Sequence, residues 1–255
     1  MLNRRHLITL AVAAALAAAV PAGAQDTAGR DLLQKVVDAA PRKPFVAKAK
    51  LTSPSRGWDR DLGLYFKNLD GTDASYMEVT APFDVKDTRF LMLDRKEGRD
   101  EQFIYVPAMK RAIQVSNETR KQPFLGSDFY VIDMVTPNLD DYTHAVVGQD
   151  KVGDRSCTLV ESVPTSPAGE VYSKTIACVD PKDLLIVRTQ FFDVKGKPLK
   201  VWTIEQYDKV DGVWTPRKQR MVNSQDNTES ILELAEIKYD APVENETFSR
   251  AHLTR

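Results

Sequence analysis

The chain has 255 residues, of which 35 are lysine or arginine and 36 are aspartate or glutamate, and its formal net charge at pH 7 is −1. This nearly neutral balance argues against nucleic acid as a partner, because nucleic-acid-binding domains carry an excess of positive charge. The length suits one domain of barrel or sandwich size, or two small ones. No linker rich in proline, serine or glycine divides the chain, so we expect one domain.

The N-terminus has the pattern of a secretory signal peptide. An arginine pair precedes an apolar run over residues 7–20, and the small residues at 22–24 form a cleavage site before Gln25. The apolar run is too short to span a bilayer core of roughly 30 Å. We therefore expect residues 1–24 to be removed, residues 25–255 to form the mature domain, and the protein to be periplasmic. The arginine pair is compatible with the Sec route and with the twin-arginine route.

The first half of the mature chain predicts one helix followed by strands. Residues 31–40 carry a narrow apolar stripe of helical spacing, and Pro41 ends the helix. Alternation and turn signals then predict strands over residues 58–67, 76–80, 89–93, 103–106 and 112–116. A second helical turn is predicted over residues 128–134, with Ser127 or Asp128 as its N-cap.

The second half predicts strands alone. They cover residues 142–147, 156–163, 171–179, 184–193, 199–207, 213–223 and 230–239. Together with the first half this gives about eleven or twelve strands at hairpin spacing, which is typical of a curled antiparallel sheet or an open barrel.

Cys157 and Cys178 lie on two of these strands, on either side of a predicted turn. A hairpin that pairs Pro164 with Val171 also places the two cysteines opposite one another. Directly opposed strand residues are about 4.5–5.5 Å apart, which is compatible with a disulfide in an oxidising compartment. Two buried free thiols are the alternative.

Several strands are apolar on both faces, so a second layer must cover the sheet or the sheet must enclose an apolar interior. A packed core and a partly empty pocket both fit this pattern. From alternation alone, the best candidates for the wall of such a pocket are Trp58, Leu64, Phe66, Phe90, Met92 and Phe103.

The sequence contains no constellation that predicts catalysis. No serine lies in a nucleophile elbow, and His144 is the one histidine within the predicted sheet. No histidine stands at metal-ligand spacing from a cysteine. We therefore expect no enzyme activity, no metal and no cofactor.

One group of motifs resembles the LolA-like outer-membrane lipoprotein-sorting protein family. The motifs are YVP at 105–107, KR at 110–111, FLGSDF at 124–129, CTLVESVP at 157–164, FDVKGK at 192–197 and DGVWTP at 211–216. The resemblance covers the chain from about residue 88 to the C-terminus. It implies a mainly β fold, an incomplete half-open antiparallel barrel with a few short helices forming a lid.

The same resemblance implies a carrier rather than an enzyme. The expected function is a monomeric periplasmic carrier or chaperone that binds lipoprotein acyl chains or another hydrophobic ligand for transfer towards the outer membrane. Its expected partners are lipoprotein or lipid cargo, together with an inner-membrane exporter of the RND type or an outer-membrane acceptor. The alternative is a sensory or accessory module of the same fold that binds an envelope protein.

Overall fold

The computed structural model describes residues 22–95, 100–116 and 118–255. The predicted signal segment up to residue 21 lies outside these ranges. None of the helices within them has the length and hydropathy that a membrane span requires.

The described residues form two α-helices and thirteen strands. The helices are α1 (Ala22–Ala39) and α2 (Arg250–Leu253). The strands are β1 (Phe45–Ser53), β2 (Trp58–Leu69), β3 (Thr72–Ala81), β4 (Arg89–Arg95), β5 (Glu101–Val106), β6 (Arg111–Gln114), β7 (Tyr142–Val152), β8 (Arg155–Pro164), β9 (Lys174–Asp180), β10 (Leu185–Phe192), β11 (Pro198–Val210), β12 (Val213–Asn223) and β13 (Thr228–Tyr239).

All thirteen strands belong to one antiparallel sheet. Their order is β6-β5-β4-β3-β2-β1-β13-β12-β11-β10-β9-β8-β7, so every strand pairs with its neighbour in sequence except where β1 meets β13. The edge strands β6 and β7 do not pair with each other, and the sheet therefore does not close into a barrel. The predicted incomplete antiparallel barrel is confirmed, with thirteen strands rather than about eleven or twelve.

Two of the differences from the predicted elements concern the start of the fold. The sequence analysis set no bounds for β1, because its inward positions include Ala47 and Ala49, which are weak strand formers. Helix α1 begins at Ala22 rather than at residue 31, since its first turns have no wide apolar stripe to mark them. Its end at Ala39 agrees with the helix-breaking effect of Pro41.

The sheet has two covered faces, and opposed residues in the ladders identify them. We call the face that carries Ala49, Leu62, Val79, Phe90 and Met221 the inner face. These side chains are at most 5% exposed and form the largest apolar cluster. The other is the outer face. The two-sided apolar pattern seen in the sequence therefore reflects two separate layers of packing.

The outer face of β3 to β5 is covered by the C-terminal residues. Leu253 is fully buried and belongs to one cluster with Tyr76, Leu91 and Phe103. The Arg89 guanidinium donates hydrogen bonds to the backbone carbonyls of Leu253 (3.3 Å) and Arg255 (2.6 Å), which fixes the chain end on the sheet.

Helix α1 covers the inner face at the β7 edge. Its Leu33 packs against Val160 and Ala177, and a line of opposed residues runs from Ala177 across β10 and β11 to Met221. Gly29 allows the close approach, since a Cβ at this position would lie 3.2 Å from the backbone of β7.

The predicted disulfide between Cys157 and Cys178 is present, with Cα atoms 5.3 Å apart. The predicted register is wrong by two residues, because Leu159, not Cys157, lies opposite Cys178. Strand β9 begins at Lys174 rather than at Val171, since the preceding residues leave the sheet and pack on the inner face.

We expect loss of the disulfide to destabilise the fold. The bond closes a loop with a sequence separation of 21 residues, and a loop of this size contributes about 3 kcal/mol by restricting the unfolded chain. Urea unfolding of the double variant Cys157→Ser/Cys178→Ser should show this loss. Reductant should lower the midpoint of the wild type and leave that of the double variant unchanged.

We also expect the C-terminal cover to contribute substantially. Leu253→Ala should lower the free energy of unfolding by about 3 kcal/mol, because it leaves a cavity in a fully buried position. Ala251→Ser, at an exposed position of the same helix, should change it by less than about 0.5 kcal/mol. Equal effects of the two substitutions in thermal or urea melts would show that the chain end is not packed as described.

Candidate functional site

The connection from β6 to β7 forms the second cover of the inner face. These two strands are the opposite edges of the sheet, so the chain between them has to cross it. We call residues 118–134 of this connection the lid segment. It consists of short 3₁₀ turns at Thr119–Lys121, Phe124–Gly126 and Val131–Met134. Leu125 within it has a left-handed φ of 52°, a strained conformation for a branched side chain.

The lid segment packs on the inner face through large apolar side chains. Phe124 and Phe129 are 3% and 2% exposed, and the Phe124 ring lies 4.6 Å from that of Phe90 between centroids. A cavity of about 10 Å³ remains beside them, bordered by Met92 and Met134, which is room for about one water molecule. The inner face is thus filled by the chain's own residues.

A buried carboxylate fastens the lid segment to the sheet. The side chain of Asp128 is 0% exposed. Both terminal nitrogens of Arg56 donate to it at 2.9 Å, and the hydroxyls of Thr228 and Ser230 donate at 2.6 Å. Arg56 lies in the turn between β1 and β2, and the two hydroxyls come from β13. Four hydrogen bonds from the sheet therefore converge on one lid carboxylate.

A second ion pair lies deeper under the lid segment. The Lys200 ammonium, on β11, is 0% exposed and donates to the Asp133 carboxylate at 2.6 Å and to the Asp128 carbonyl at 3.0 Å. It also lies 3.5 Å from the centroid of the Tyr130 ring. The Tyr172 hydroxyl donates to the other oxygen of Asp133 at 2.7 Å. The buried ammonium and carboxylate are therefore both satisfied.

Burial and these contacts shift the pKa values of the site in different directions. Burial raises the pKa of the Asp128 carboxyl, but the hydrogen bonds from Arg56, Ser230 and Thr228 outweigh it and hold that pKa below the ordinary value of 3.8. Burial lowers the pKa of the Lys200 ammonium from 10.5, and Asp133 opposes only part of this change. Burial raises the pKa of the Tyr172 phenol well above 10, so its hydroxyl remains a donor.

The structure brings together most of the predicted wall residues. Trp58, Leu64 and Phe90 belong to the inner-face cluster, and Met92 borders the small cavity. Phe66 stacks on Phe45 at 5.4 Å and is not part of that cluster.

Phe103, the sixth predicted wall residue, packs in the outer-face cluster instead, although it also borders the cavity. Strand β5 has apolar residues at every position from Phe103 to Val106, so alternation cannot tell which of them face inwards.

The sequence analysis did not find the polar contacts that hold the lid segment. Asp128 was predicted as a possible N-cap of a helix over residues 128–134. That helix is a 3₁₀ turn over Val131–Met134, and the Asp128 carboxylate bonds to the sheet. One pattern in the sequence could have indicated the ion pair. Lys200 alternates with Trp202 and Ile204 along β11, so its side chain lies on the same apolar face of the strand.

The described residues hold no other site with evident chemistry. His144 is buried, with its ring nitrogens 2.8 Å from the Ser162 hydroxyl and 2.9 Å from the Leu139 carbonyl. No three His, Cys, Asp or Glu side chains in these ranges could hold a metal ion. An open depression of about 410 Å³ is lined by charged side chains that are paired with one another, such as Lys218 and Glu233 at 2.8 Å.

We expect the Asp128 carboxylate to stabilise the closed lid in a pH-dependent way. Its folded-state pKa is lowered, so its contribution is complete above the unfolded-state value of 3.8 and is lost as the pH falls through the folded-state pKa. Asp128→Asn should lower the free energy of unfolding by about 2 kcal/mol near pH 7. This difference from the wild type should shrink below about pH 4.

Unfolding of both proteins between pH 2 and 8 measures this difference. Asp84→Asn is the control, because Asp84 is exposed in the turn between β3 and β4. A difference between wild type and Asp128→Asn that stays constant across this range would contradict the assigned pKa direction.

Comparison with known proteins identifies a matching family model and solved structures with the same fold. A model for a family of uncharacterized proteins matches residues 71–255. No curated protein sequence matches the chain.

Three solved structures share the fold at low sequence identity. One, named for an outer membrane lipoprotein-sorting protein domain from Vibrio parahaemolyticus, has a TM-score of 0.83 at 23% identity and covers 90% of this chain and 100% of its own. A DUF1329 family protein from Desulfovibrio piger has a TM-score of 0.83 at 21% identity, covering 90% and 99%. A LolA superfamily protein from Nitrosomonas europaea has a TM-score of 0.67 at 17% identity, covering 88% and 98%.

The family model matches most of the chain. The half-open sheet and the shared folds agree with the fold that the sequence motifs imply. The chain belongs to the family of uncharacterized proteins whose model matches residues 71–255, and it shares its fold with outer membrane lipoprotein-sorting and LolA superfamily proteins.

Proposed function

We propose that the protein is a periplasmic carrier that binds a hydrophobic ligand between the inner face of its sheet and the lid segment. The observation that carries this proposal is the nature of the cover. The inner face is broad and apolar, and what lies over its centre is a run of short 3₁₀ turns fastened by polar contacts rather than a long helix or a second sheet. Such a cover can be displaced without unfolding any strand.

Ligand exchange then needs no covalent chemistry. Phe124 and Phe129 leave the inner face, an acyl chain takes their place, and the reverse step releases it. Burial of an acyl chain gains about 0.8 kcal/mol per methylene, and the cost of displacing the lid segment offsets part of this gain. Binding remains reversible as a result, as transfer between a donor and an acceptor requires.

The fold shared with lipoprotein-sorting domains supports a proposal for the wider role. We propose export by the N-terminal signal segment, a single mature domain over residues 25–255, and transfer of acyl cargo from an inner-membrane exporter of the RND type towards an outer-membrane acceptor. The six wall residues predicted from the sequence remain candidates for ligand contact, led by those on the inner face.

A fluorescent fatty acyl probe tests the carrier. We expect saturable binding to the folded protein. Met92→Glu should abolish it, because Met92 borders the cavity between sheet and lid. Leu93→Glu is the matched control, since the next residue of β4 packs against the outer-face cluster and should retain binding at a similar cost in stability.

Urea midpoints of both variants separate loss of binding from loss of folding. A wild-type protein that binds no acyl probe under any condition in which it stays folded would refute the carrier. An accessory module that binds an envelope protein would then be the better account.

A further inference from the structure

The polar contacts under the lid segment divide by chemistry. The lid segment contributes the anions, which are the carboxylates of Asp128 and Asp133. The sheet and its first turn contribute the cations and hydroxyl donors, which are Arg56, Lys200, Thr228 and Ser230. Displacement of the lid segment therefore removes negative charge from the site and leaves positive charge behind.

The donors around Asp128 form a built site for an oxyanion. The two guanidinium nitrogens of Arg56 are 2.9 Å from the two carboxylate oxygens, one to each. The hydroxyls of Thr228 and Ser230 complete the set at 2.6 Å. An arginine fork with two hydroxyl donors suits a carboxylate or a phosphate equally well, because both present paired oxygens.

An apolar surface lies next to this donor set. Phe129 follows Asp128 directly in sequence and is buried in the inner-face cluster, as is Phe124. The lid segment thus presents to the sheet an anionic group joined to a large apolar surface. This is the chemical make-up of an amphiphile with an anionic head and an acyl chain.

Charge balance limits what can replace the lid segment. The Lys200 ammonium is fully buried and beside three aromatic rings, those of Tyr130, Tyr172 and Phe191. A buried cation without a counter-ion is strongly unfavourable. A ligand with a neutral or cationic head would leave Arg56 and Lys200 without the carboxylates of the lid segment, whereas an anionic head would replace the one that Arg56 loses.

From these contacts we propose that the preferred ligand of the inner face is an anionic amphiphile. Its carboxylate or phosphate takes the place of the Asp128 carboxylate on Arg56, Thr228 and Ser230, and its acyl chain takes the place of Phe124 and Phe129. The lid segment acts as an internal substitute for this ligand and competes with it. This inference rests on the proposed carrier function and specifies the class of ligand.

Probes with one chain and different heads test the proposal. The assay measures how well each competitor displaces a neutral fluorescent acyl probe from the full mature protein, below the competitor's micelle concentration. The competitors are hexadecyl phosphate, hexadecanoate, hexadecylphosphocholine and hexadecyl maltoside. The two anionic probes should bind about tenfold or more tightly than the zwitterionic and neutral ones, as expected for charge-assisted hydrogen bonds. The ratio between phosphate and carboxylate distinguishes a phospholipid-like head from a fatty acid.

Variants locate the head group. Arg56→Gln should reduce the preference for anionic probes to about twofold or less while the maltoside affinity is kept. Arg42→Gln is the matched control, since Arg42 is half exposed and pairs loosely with Asp73 at 3.6 Å. Should Arg56→Gln fail to fold, the double variant Thr228→Val/Ser230→Ala removes two donors without changing charge and should also weaken the preference. Asp128→Asn should strengthen binding of hexadecyl phosphate, because it weakens the internal competitor.

The outcomes separate this proposal from the carrier function. Equal affinities for all four heads in the wild type would overturn the anionic preference and leave the carrier intact. Equal preferences for anionic probes in Arg56→Gln and Arg42→Gln would likewise overturn the proposed head-group site and leave the carrier function intact. Failure of every probe to bind the folded protein would instead overturn the carrier function, and this inference with it.

Discussion

The arrangement of this protein depends on the contact between one buried carboxylate and the sheet. The chain must return from edge strand β6 to edge strand β7, and it does so across the inner face. Asp128, bonded to Arg56 and to two hydroxyls of β13, fixes the middle of that crossing. Without this anchor, the connection would lose the four hydrogen bonds that tie its middle to the sheet and to the turn between β1 and β2. With it, Phe124 and Phe129 are held where they shield the sheet from water.

The two faces of the sheet are held by different interactions. On the outer face, Leu253 and the residues around it pack with apolar contacts that continue the fold's hydrophobic core. On the inner face, hydrogen bonds and ion pairs stand beside the apolar contacts. Apolar burial is non-directional, whereas hydrogen bonds to a carboxylate require particular groups in fixed positions. The outer cover is therefore held by non-directional packing, and the directional contacts of the inner cover are those that the proposed ligand would have to replace.

Local patterns in the sequence predicted the parts of this structure that depend on local order. Turn signals and alternation located most strands, and the doubled apolar strands indicated two covered faces. The disulfide was predicted from approximate register even though the register was two residues off, since a cysteine pair across a hairpin tolerates that offset. The contacts of Asp128 were not predictable, because its partners lie 72, 100 and 102 residues away in the chain. Only the three-dimensional pairing of β1 with β13 brings Arg56 next to those hydroxyls.

The pairing of β1 with β13 also has a consequence for the order in which the molecule can assemble. Each half of the sheet is a meander whose strands pair with their neighbours in sequence, so those contacts close short loops. The junction between the halves joins Leu51 to Leu232 and has to close a loop of about 180 residues. A chain that emerges N-terminus first cannot make this junction until its last strand is available. We therefore expect the central seam of the sheet to form last.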